Sequence, residues 1–362
     1  MTVGGEDDAA RRLLAWYDVN RRDLSWRAAP GAAVDPYRVW LSEIMLQQTT
    51  VATVSGRFPA FVARWPTLAA LAGASLDEVL HGWQGLGYYS RARNLHRCAR
   101  ALVAGHGGRF PDDEAALGRL PGIGAYTAAA IAAIAFGRPA VVVDGNVERV
   151  MARLHAVDEP LPGAKRRLRG LAAALTPSAR PGDYAQAVMD LGATVCRPRA
   201  PRCEACPWAA DCAGLAAELA ESLPRRAPKA PRPLRRGTVF WLERDDGAVL
   251  LRRRPTEGLL GGLMEVPSGP WLEPPEVGAD GTVGTDEAGA PVAAGWRLLP
   301  GTVAHVFTHF RLELRVLAAR LPEGANPAGT WCPPDRLDRH ALPTVMRKVI
   351  RHATGDNRDQ LR

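Results

Sequence analysis

Four cysteines, Cys196, Cys203, Cys206 and Cys212, fall within seventeen residues of one another. Thiolates are soft ligands, and four in one short stretch can wrap a single metal centre without help from elsewhere. Ligand count alone suits a structural zinc ion as well as an iron–sulfur cluster. Two carboxylates further up the chain form a second set. Glu43 stands at the border of an apolar helical face made by Val39, Ile44 and Met45. Asp144 follows the apolar run Val141–Val143 and precedes Gly145 and Asn146. Taken singly, each has an ordinary reading, a solvated glutamate and a helix N-cap. Taken together they suit cleavage of a glycosidic bond, in which one carboxyl protonates the leaving group and the other stabilises a sugar cation. A semi-apolar setting raises a carboxyl pKa and favours the acid role for Glu43. A helix start favours the ionised form and suits Asp144 to the second role.

A third feature is Leu120-Pro121-Gly122-Ile123-Gly124-Ala125-Tyr126-Thr127, between two helical segments. Gly122 and Gly124 let a backbone approach closely. The free N–H groups that open the next helix make an anion site. Such a turn holds one phosphate backbone without reading sequence.

Helical periodicity positions these residues. It runs from Ala9 to about Leu223, and the Ala-rich stretch Thr127–Phe136 closes at Gly137, a natural C-cap. Residues 223–236 then interrupt it with four prolines and six basic residues, an extended cationic linker. Beyond, the period becomes two. Thr238–Glu243 and Ala248–Arg253 flank Asp245-Asp246-Gly247, a hairpin signal. Phe310, Leu312, Leu314 and Val316 alternate with charged residues as in a half-buried antiparallel strand, and Leu342–His352 reads as a closing helix. Residues 273–295 read as a loop. The fold class expected is a mainly α N-terminal region of residues 1–222 with an α+β domain at 237–355.

The bulk properties agree with an anionic partner without naming it. The 362 residues hold 46 Lys and Arg against 38 Asp and Glu, a net charge of +8. With 47% hydrophobic residues the chain can build real cores. No signal peptide opens it and no apolar run spans a bilayer, so a cytoplasmic, nucleoid-associated monomer is expected. In a reducing compartment the six cysteines are not a disulfide framework, and Cys98 and Cys332 read as small buried hydrophobes.

Several of these stretches resemble one family. They are Arg22–Arg27, Glu43–Thr49, Trp83–Leu95 (WQGLGYYSRARNL), the hairpin, Val143–Val147 and the cysteines at x6/x2/x5 spacing. The cysteine spacing is similar to that of the [4Fe–4S] loop in the endonuclease III superfamily of helix-hairpin-helix glycosylases. The whole set resembles the MutY-type adenine DNA glycosylases. The resemblance implies a six-helix barrel at about 32–137 and an iron–sulfur subdomain made of about 1–31 with 138–222. It implies a [4Fe–4S] cluster on Cys196, Cys203, Cys206 and Cys212. The partner implied is double-stranded DNA containing adenine opposite 8-oxoguanine or G. Glu43 would protonate adenine at N7, and Asp144 would stabilise the sugar cation. Tyr126 and Asn146 would hydrogen-bond near both, and Arg27 would line the adenine pocket. Gln48, Thr49, Leu86 and Tyr88 would sit at the lesion pair, with Tyr88 wedging the stack as adenine is extruded. Relatives that nick the strand carry a Schiff-base lysine where this chain has Tyr126, so a monofunctional enzyme is implied.

Residues 237–355 resemble the Nudix-like, MutT-related domain of that family, most clearly at Gly258–Pro267. The acidic Nudix box that would bind Mg²⁺ is absent from Pro270–Asp280, which implies a recognition domain and no second hydrolase. His305-Val306-Phe307-Thr308-His309-Phe310 resembles the loop that probes 8-oxoguanine, with Thr308 where many members have Ser. His305 and His309 lack a third metal ligand nearby. Three other readings remain: an endonuclease III-type lyase, disfavoured by Tyr126, a silent iron–sulfur DNA binder, disfavoured by Glu43 and Asp144, and a Nudix hydrolase, disfavoured by the missing box.

Overall fold

A computed structural model describes residues 6–228, 231–273 and 287–355. They form two compact units. Most of Pro270–Asp280, and much of the expected loop at 273–295, lies outside the described residues.

The first unit takes in residues 6–74 and 94–228 and is helical. Its elements are α1 (Glu6–Asn20), α2 (Pro36–Leu46), α3 (Val51–Arg64), α4 (Leu68–Gly73) and most of α6 (Ser90–Gly105). After these come α7 (Glu114–Gly118), α8 (Ala125–Phe136), α9 (Gly145–Leu154), α10 (Lys165–Leu175), α11 (Pro181–Thr194) and the short α12 (Ala213–Ala216). Local chemistry sets their ends. Asp35 caps α2, accepting from the Tyr37 N–H at 2.9 Å, and Pro36 supplies the fixed φ of a first helical residue. Gly137 ends α8 in the left-handed region.

Helix α8 is buried along Thr127–Ala133, and its small side chains admit close neighbours. A Cβ at Gly182 of α11 would lie 2.5 Å from the Ala133 carbonyl oxygen, so that crossing requires glycine. Helix α1 shares a core with α9, α10 and α11 through Leu13, Tyr17, Met151, Leu168 and Leu191. Trp208, in the cysteine loop, seals it by donating to the Ala9 carbonyl at 2.9 Å.

The second unit joins the described residues of 231–355 to residues 75–93, which include α5 (Leu76–Gly82). Its mixed sheet has the order β3-β2-β1-β6-β4, with β5 also paired to β6 and β7 to β2. The strands are β1 (Leu234–Glu243), β2 (Val249–Arg253), β3 (Met264–Glu265), β4 (Arg297–Leu298), β5 (Val303–Val306), β6 (Arg311–Arg320) and β7 (Thr330–Cys332). β1 and β2 form the antiparallel hairpin expected around Asp245-Asp246-Gly247. β6 buries Leu312, Leu314 and Val316, as its alternation requires. Its pairing is mixed rather than antiparallel throughout: antiparallel to β4 and β5, parallel to β1 from Leu234↔Arg311 onward. Alternation reports which face is buried and not the direction of a neighbour. Helix α13 (Thr344–Thr354) covers the sheet with Val345, Met346 and Val349, starting just after Pro343.

The proline-rich stretch is anchored at both ends. Leu223 is buried, and Leu161 exchanges backbone hydrogen bonds with Arg225 and Ala227. Leu234, Arg235 and Arg236 already belong to β1.

Residues 75–93 are fastened to the second unit by polar contacts. Arg253 grips Asp77 with two bonds of 2.7 Å. The Gln84 amide donates to the His340 carbonyl at 2.9 Å and accepts from Arg347. Arg93 donates to the Gly261 carbonyl.

Candidate active site

Four helices of the first unit place acidic and polar side chains around one cleft of about 1040 Å³. Helix α2 contributes Glu43, α8 contributes Tyr126 near its first turn, α9 begins at Asp144, and α11 contributes Met189 and Gln186. Arg27 and Asn146 also line the cleft, as do Gln48 and Thr49 at the end of α2.

Glu43 is buried, 7% exposed, in a helix whose other buried residues are mostly apolar. Burial pushes its carboxyl up to about 7. A hydrogen bond from Tyr126 opposes the rise, the charge of Asp144 adds to it, and Arg27 opposes it. Tyr126 responds to the same neighbours. Burial first, then Glu43 and Asp144, hold its phenol well above its ordinary range, so it stays a neutral donor. Its hydroxyl also lies 3.6 Å from the Met189 sulfur.

Asp144 is the N-cap of α9. One oxygen accepts from the Asn146 and Val147 N–H groups at 2.9 and 2.8 Å, and the other accepts from the Asn146 amide at 2.8 Å. Burial raises its carboxyl, against the opposing pull of these donors and of Arg149. The capping and chemical readings of Asp144 are therefore compatible: the bonds that cap the helix also fix the carboxylate on the cleft wall.

Arg27 reaches the cleft already committed to a partner. Its two terminal nitrogens bind Asp190 at 2.6 and 2.9 Å, and Arg22 binds the same carboxylate at 2.5 Å. Asp190 has no exposed side-chain surface. Burial acts to raise its carboxyl, but the hydrogen bond and charge of Arg27, followed by Arg22, win and lower it. Sequence reasoning missed Asp190. Its only signal is a lone acid in the apolar stretch Ala187–Leu191 of α11. We expect Asp190→Asn to cost about 3–5 kcal/mol, because Arg27 would be left buried without its counter-charge. Denaturant unfolding checks this. The contribution is present above the ordinary carboxylate range and is lost as pH falls through the lowered pKa, so the gap between the two proteins should narrow in acid.

The cysteine loop adjoins the far end of α9. Cys196, Cys203, Cys206 and Cys212 are free thiols lining one small cavity together with Arg153 and Leu215. Arg153, 2% exposed, donates to the Cys196 sulfur at 3.3 Å and to the Arg197 carbonyl at 2.7 Å. Arg149 donates to the Cys196 and Gly192 carbonyls and to the Asn146 side-chain oxygen. Neither arginine was singled out from sequence, where both pass for solvated helix residues. Among the described residues no group of three or more His, Cys, Asp or Glu is drawn together around one ion.

The hairpin has the expected form. Leu120 and Ile123 are buried, and Gly122 adopts φ 76° with a Cβ position 2.6 Å from that of Asn94. Gly124 is the N-cap of α8.

The remaining expected site residues lie in the second unit. Leu86 is buried, Tyr88 is 46% exposed, and the Tyr88 hydroxyl is 2.6 Å from that of Thr308. His309 follows on the same turn. His305 and Phe307 pack edge to face, and Phe307 stacks on Phe310.

A family model described as HhH-GPD superfamily base excision DNA repair protein matches residues 41–173, and a NUDIX domain model matches residues 238–352. Helical glycosylase region and mixed β-sheet NUDIX domain together define a base-excision-repair protein of two parts. The adenine DNA glycosylase of Homo sapiens is 37% identical over 402 residues, covering 95% of this chain and 73% of that one. That of Mycobacterium tuberculosis is 45% identical over 202 residues, 55% of this chain and 66% of its own. The solved structure of a thermostable thymine-DNA glycosylase superposes on 59% of the chain and 97% of its own length, with 30% identity and a TM-score of 0.53. The chain belongs to the adenine DNA glycosylase family, hydrolases of N-glycosyl bonds. None of its described helices is long and apolar enough to cross a membrane.

Proposed function

We propose that this chain is a monofunctional glycosylase that removes adenine paired with 8-oxoguanine, or with G, in double-stranded DNA. The observation that carries the reading is the pairing in one cleft of a buried glutamate whose carboxyl titrates near neutrality with a second, hydrogen-bonded carboxylate.

In this mechanism Glu43 donates its proton to N7 of the extruded adenine. The C1′–N9 bond then breaks, its electron pair leaving with the neutral base. Asp144 faces the resulting oxocarbenium-like sugar as an anion, kept in place by the N–H groups of Asn146 and Val147. Water adds at C1′ and passes its proton to the Glu43 carboxylate, which completes the hydrolysis and restores the acid. Tyr126 keeps its proton and orients Glu43. The cleft has no lysine at the Tyr126 position to form a Schiff base, which supports glycosylase action without strand nicking. Arg27, held rigid by Asp190, lines the purine site. The hairpin at Gly122 and Gly124 holds a DNA phosphate through backbone N–H groups. Gln48, Thr49, Leu86, Tyr88, Thr308 and His309 address the lesion pair.

Cys196, Cys203, Cys206 and Cys212 would hold a [4Fe–4S] cluster, which supplies a rigid, metal-pinned loop carrying Arg197, Arg199 and Arg202 toward the DNA backbone. Purified protein is expected to be brown, with about four irons per chain. Zinc alone in the metal analysis would overturn this assignment.

The decisive experiment offers duplexes with A opposite 8-oxoguanine, G or T, followed by alkali. Alkali-dependent breaks at the first two, and little at the third, are expected. Breaks without alkali would indicate a lyase, and no base release would indicate a silent binder.

A further inference from the structure

Tyr88 sits in a turn that ordinary residues avoid. Gly85, Gly87 and Tyr88 all have positive φ, at 87°, 68° and 44°. Glycine adopts such values freely, whereas a tyrosine does so only where its surroundings dictate it. Arg91 supplies those surroundings. Its side chain is 7% exposed, although arginine is among the residues least often buried. One terminal nitrogen donates to the Leu86 carbonyl at 2.7 Å and to the Gly87 carbonyl at 3.2 Å. The guanidinium lies 5.6 Å from the Tyr88 ring centroid and 5.4 Å from that of Trp83. The Trp83 indole N–H completes the arrangement by donating to the Gly87 carbonyl at 3.1 Å. Two carbonyls and two rings thus converge on one planar cation in the second unit.

We propose that Arg91 is a positioning residue for lesion recognition: it holds the Leu86–Tyr88 turn so that Tyr88 projects from the surface in a preset direction, its hydroxyl beside that of Thr308. This inference rests on the reading of Tyr88 as the wedge at the lesion pair. Arg91 touches neither base nor sugar in this role and acts through the tyrosine. The plane matters, because the guanidinium stacks on both rings while one of its nitrogens bonds the two successive carbonyls. Lysine keeps the charge and a donor nitrogen but loses the plane.

The test is a mutant cycle on the full-length protein, with single-turnover excision of A opposite 8-oxoguanine and opposite G. The variants are Arg91→Lys, Tyr88→Ala and the double variant. Displaced positioning groups lower rates by roughly ten- to a hundredfold, and Arg91→Lys is expected to lose the preference for 8-oxoguanine within that range. In the Tyr88→Ala background it should have almost no further effect, because there is no ring left to aim. Equal loss in both backgrounds would make Arg91 a general structural residue and overturn the proposal, as would a wild-type preference in Arg91→Lys alone. If Tyr88→Ala itself retained the wild-type preference, the wedge reading would fail instead. Circular dichroism and thermal midpoints identify a variant that has simply unfolded. Should Arg91→Lys do so, Arg91→Gln, which keeps a planar donor, takes its place in the cycle under the same criteria.

Discussion

Glu43→Gln should abolish base release while leaving DNA binding intact. The amide matches the carboxyl in shape but has no acidic proton to transfer. General acid catalysis is worth about 10²–10⁴ in rate, and single-turnover excision should fall by at least that much. A residual rate near that of the wild type would remove Glu43 from the acid role. The pH dependence follows from the same burial. The carboxyl titrates at about 7, so the proton needed for the leaving base is lost as pH rises past neutrality, and the rate should then drop about tenfold per unit. On the acid side, protonation of Asp144 would remove the anion proposed to face the sugar, and its raised pKa brings that limb above the ordinary aspartate range.

The same substitution should stabilise the protein. The carboxyl rises from an ordinary 4.5 to about 7 on folding, so the folded state binds the proton more tightly than the unfolded one. Stability from this group is complete below pH 4.5 and is lost as pH rises through about 7. Above that window Glu43→Gln should exceed the wild type by about 3 kcal/mol, from roughly 1.4 kcal/mol per pKa unit. Denaturant midpoints at pH 4 and pH 8.5 read this directly. A variant more active and less stable at pH 8.5 would contradict both halves of the argument.

Asp144→Asn separates capping from chemistry. Asparagine caps a helix as well as aspartate does, and its side-chain oxygen can still accept from the Asn146 and Val147 N–H groups. The Asn146 amide would lose its acceptor on the other oxygen, a cost of about 1 kcal/mol, so the thermal midpoint should fall only slightly. The negative charge proposed to face the sugar disappears, and preorganised electrostatic stabilisation of this kind is worth about 10²–10³ in rate. Loss of excision with only a slightly lowered midpoint is the expected pair of results. An unchanged rate would reduce Asp144 to a capping residue.

What the sequence discloses depends on how local the physics is. The hairpin was legible because Gly122, Gly124 and their apolar neighbours are contiguous, and the cysteine loop because four cysteines lie within one short stretch. Glu43 and Asp144 were legible as residue types in particular settings, and their convergence on one cleft followed only from considering them together. Asp190 was not legible, because it is 163 residues from the arginine it anchors and its own helix gives no reason to expect a buried ion pair. The hydroxyl contact of Tyr88 with Thr308 spans 220 residues and leaves no periodic trace. Nor does helical spacing in α5 tell which core the helix joins, since amphipathicity marks an apolar face but not its partner.

Residues 75–93 lie within the run of glycosylase helices in sequence, yet share a compact body with the C-terminal sheet. A gene fragment beginning at the sheet would thus encode an incomplete object, deprived of the partners of Arg253 and Arg347. Recombination that exchanged this module between proteins at a single crossover would strand one piece in the wrong parent. Such a constraint favours inheritance of the two halves together, however distinct their ancestry.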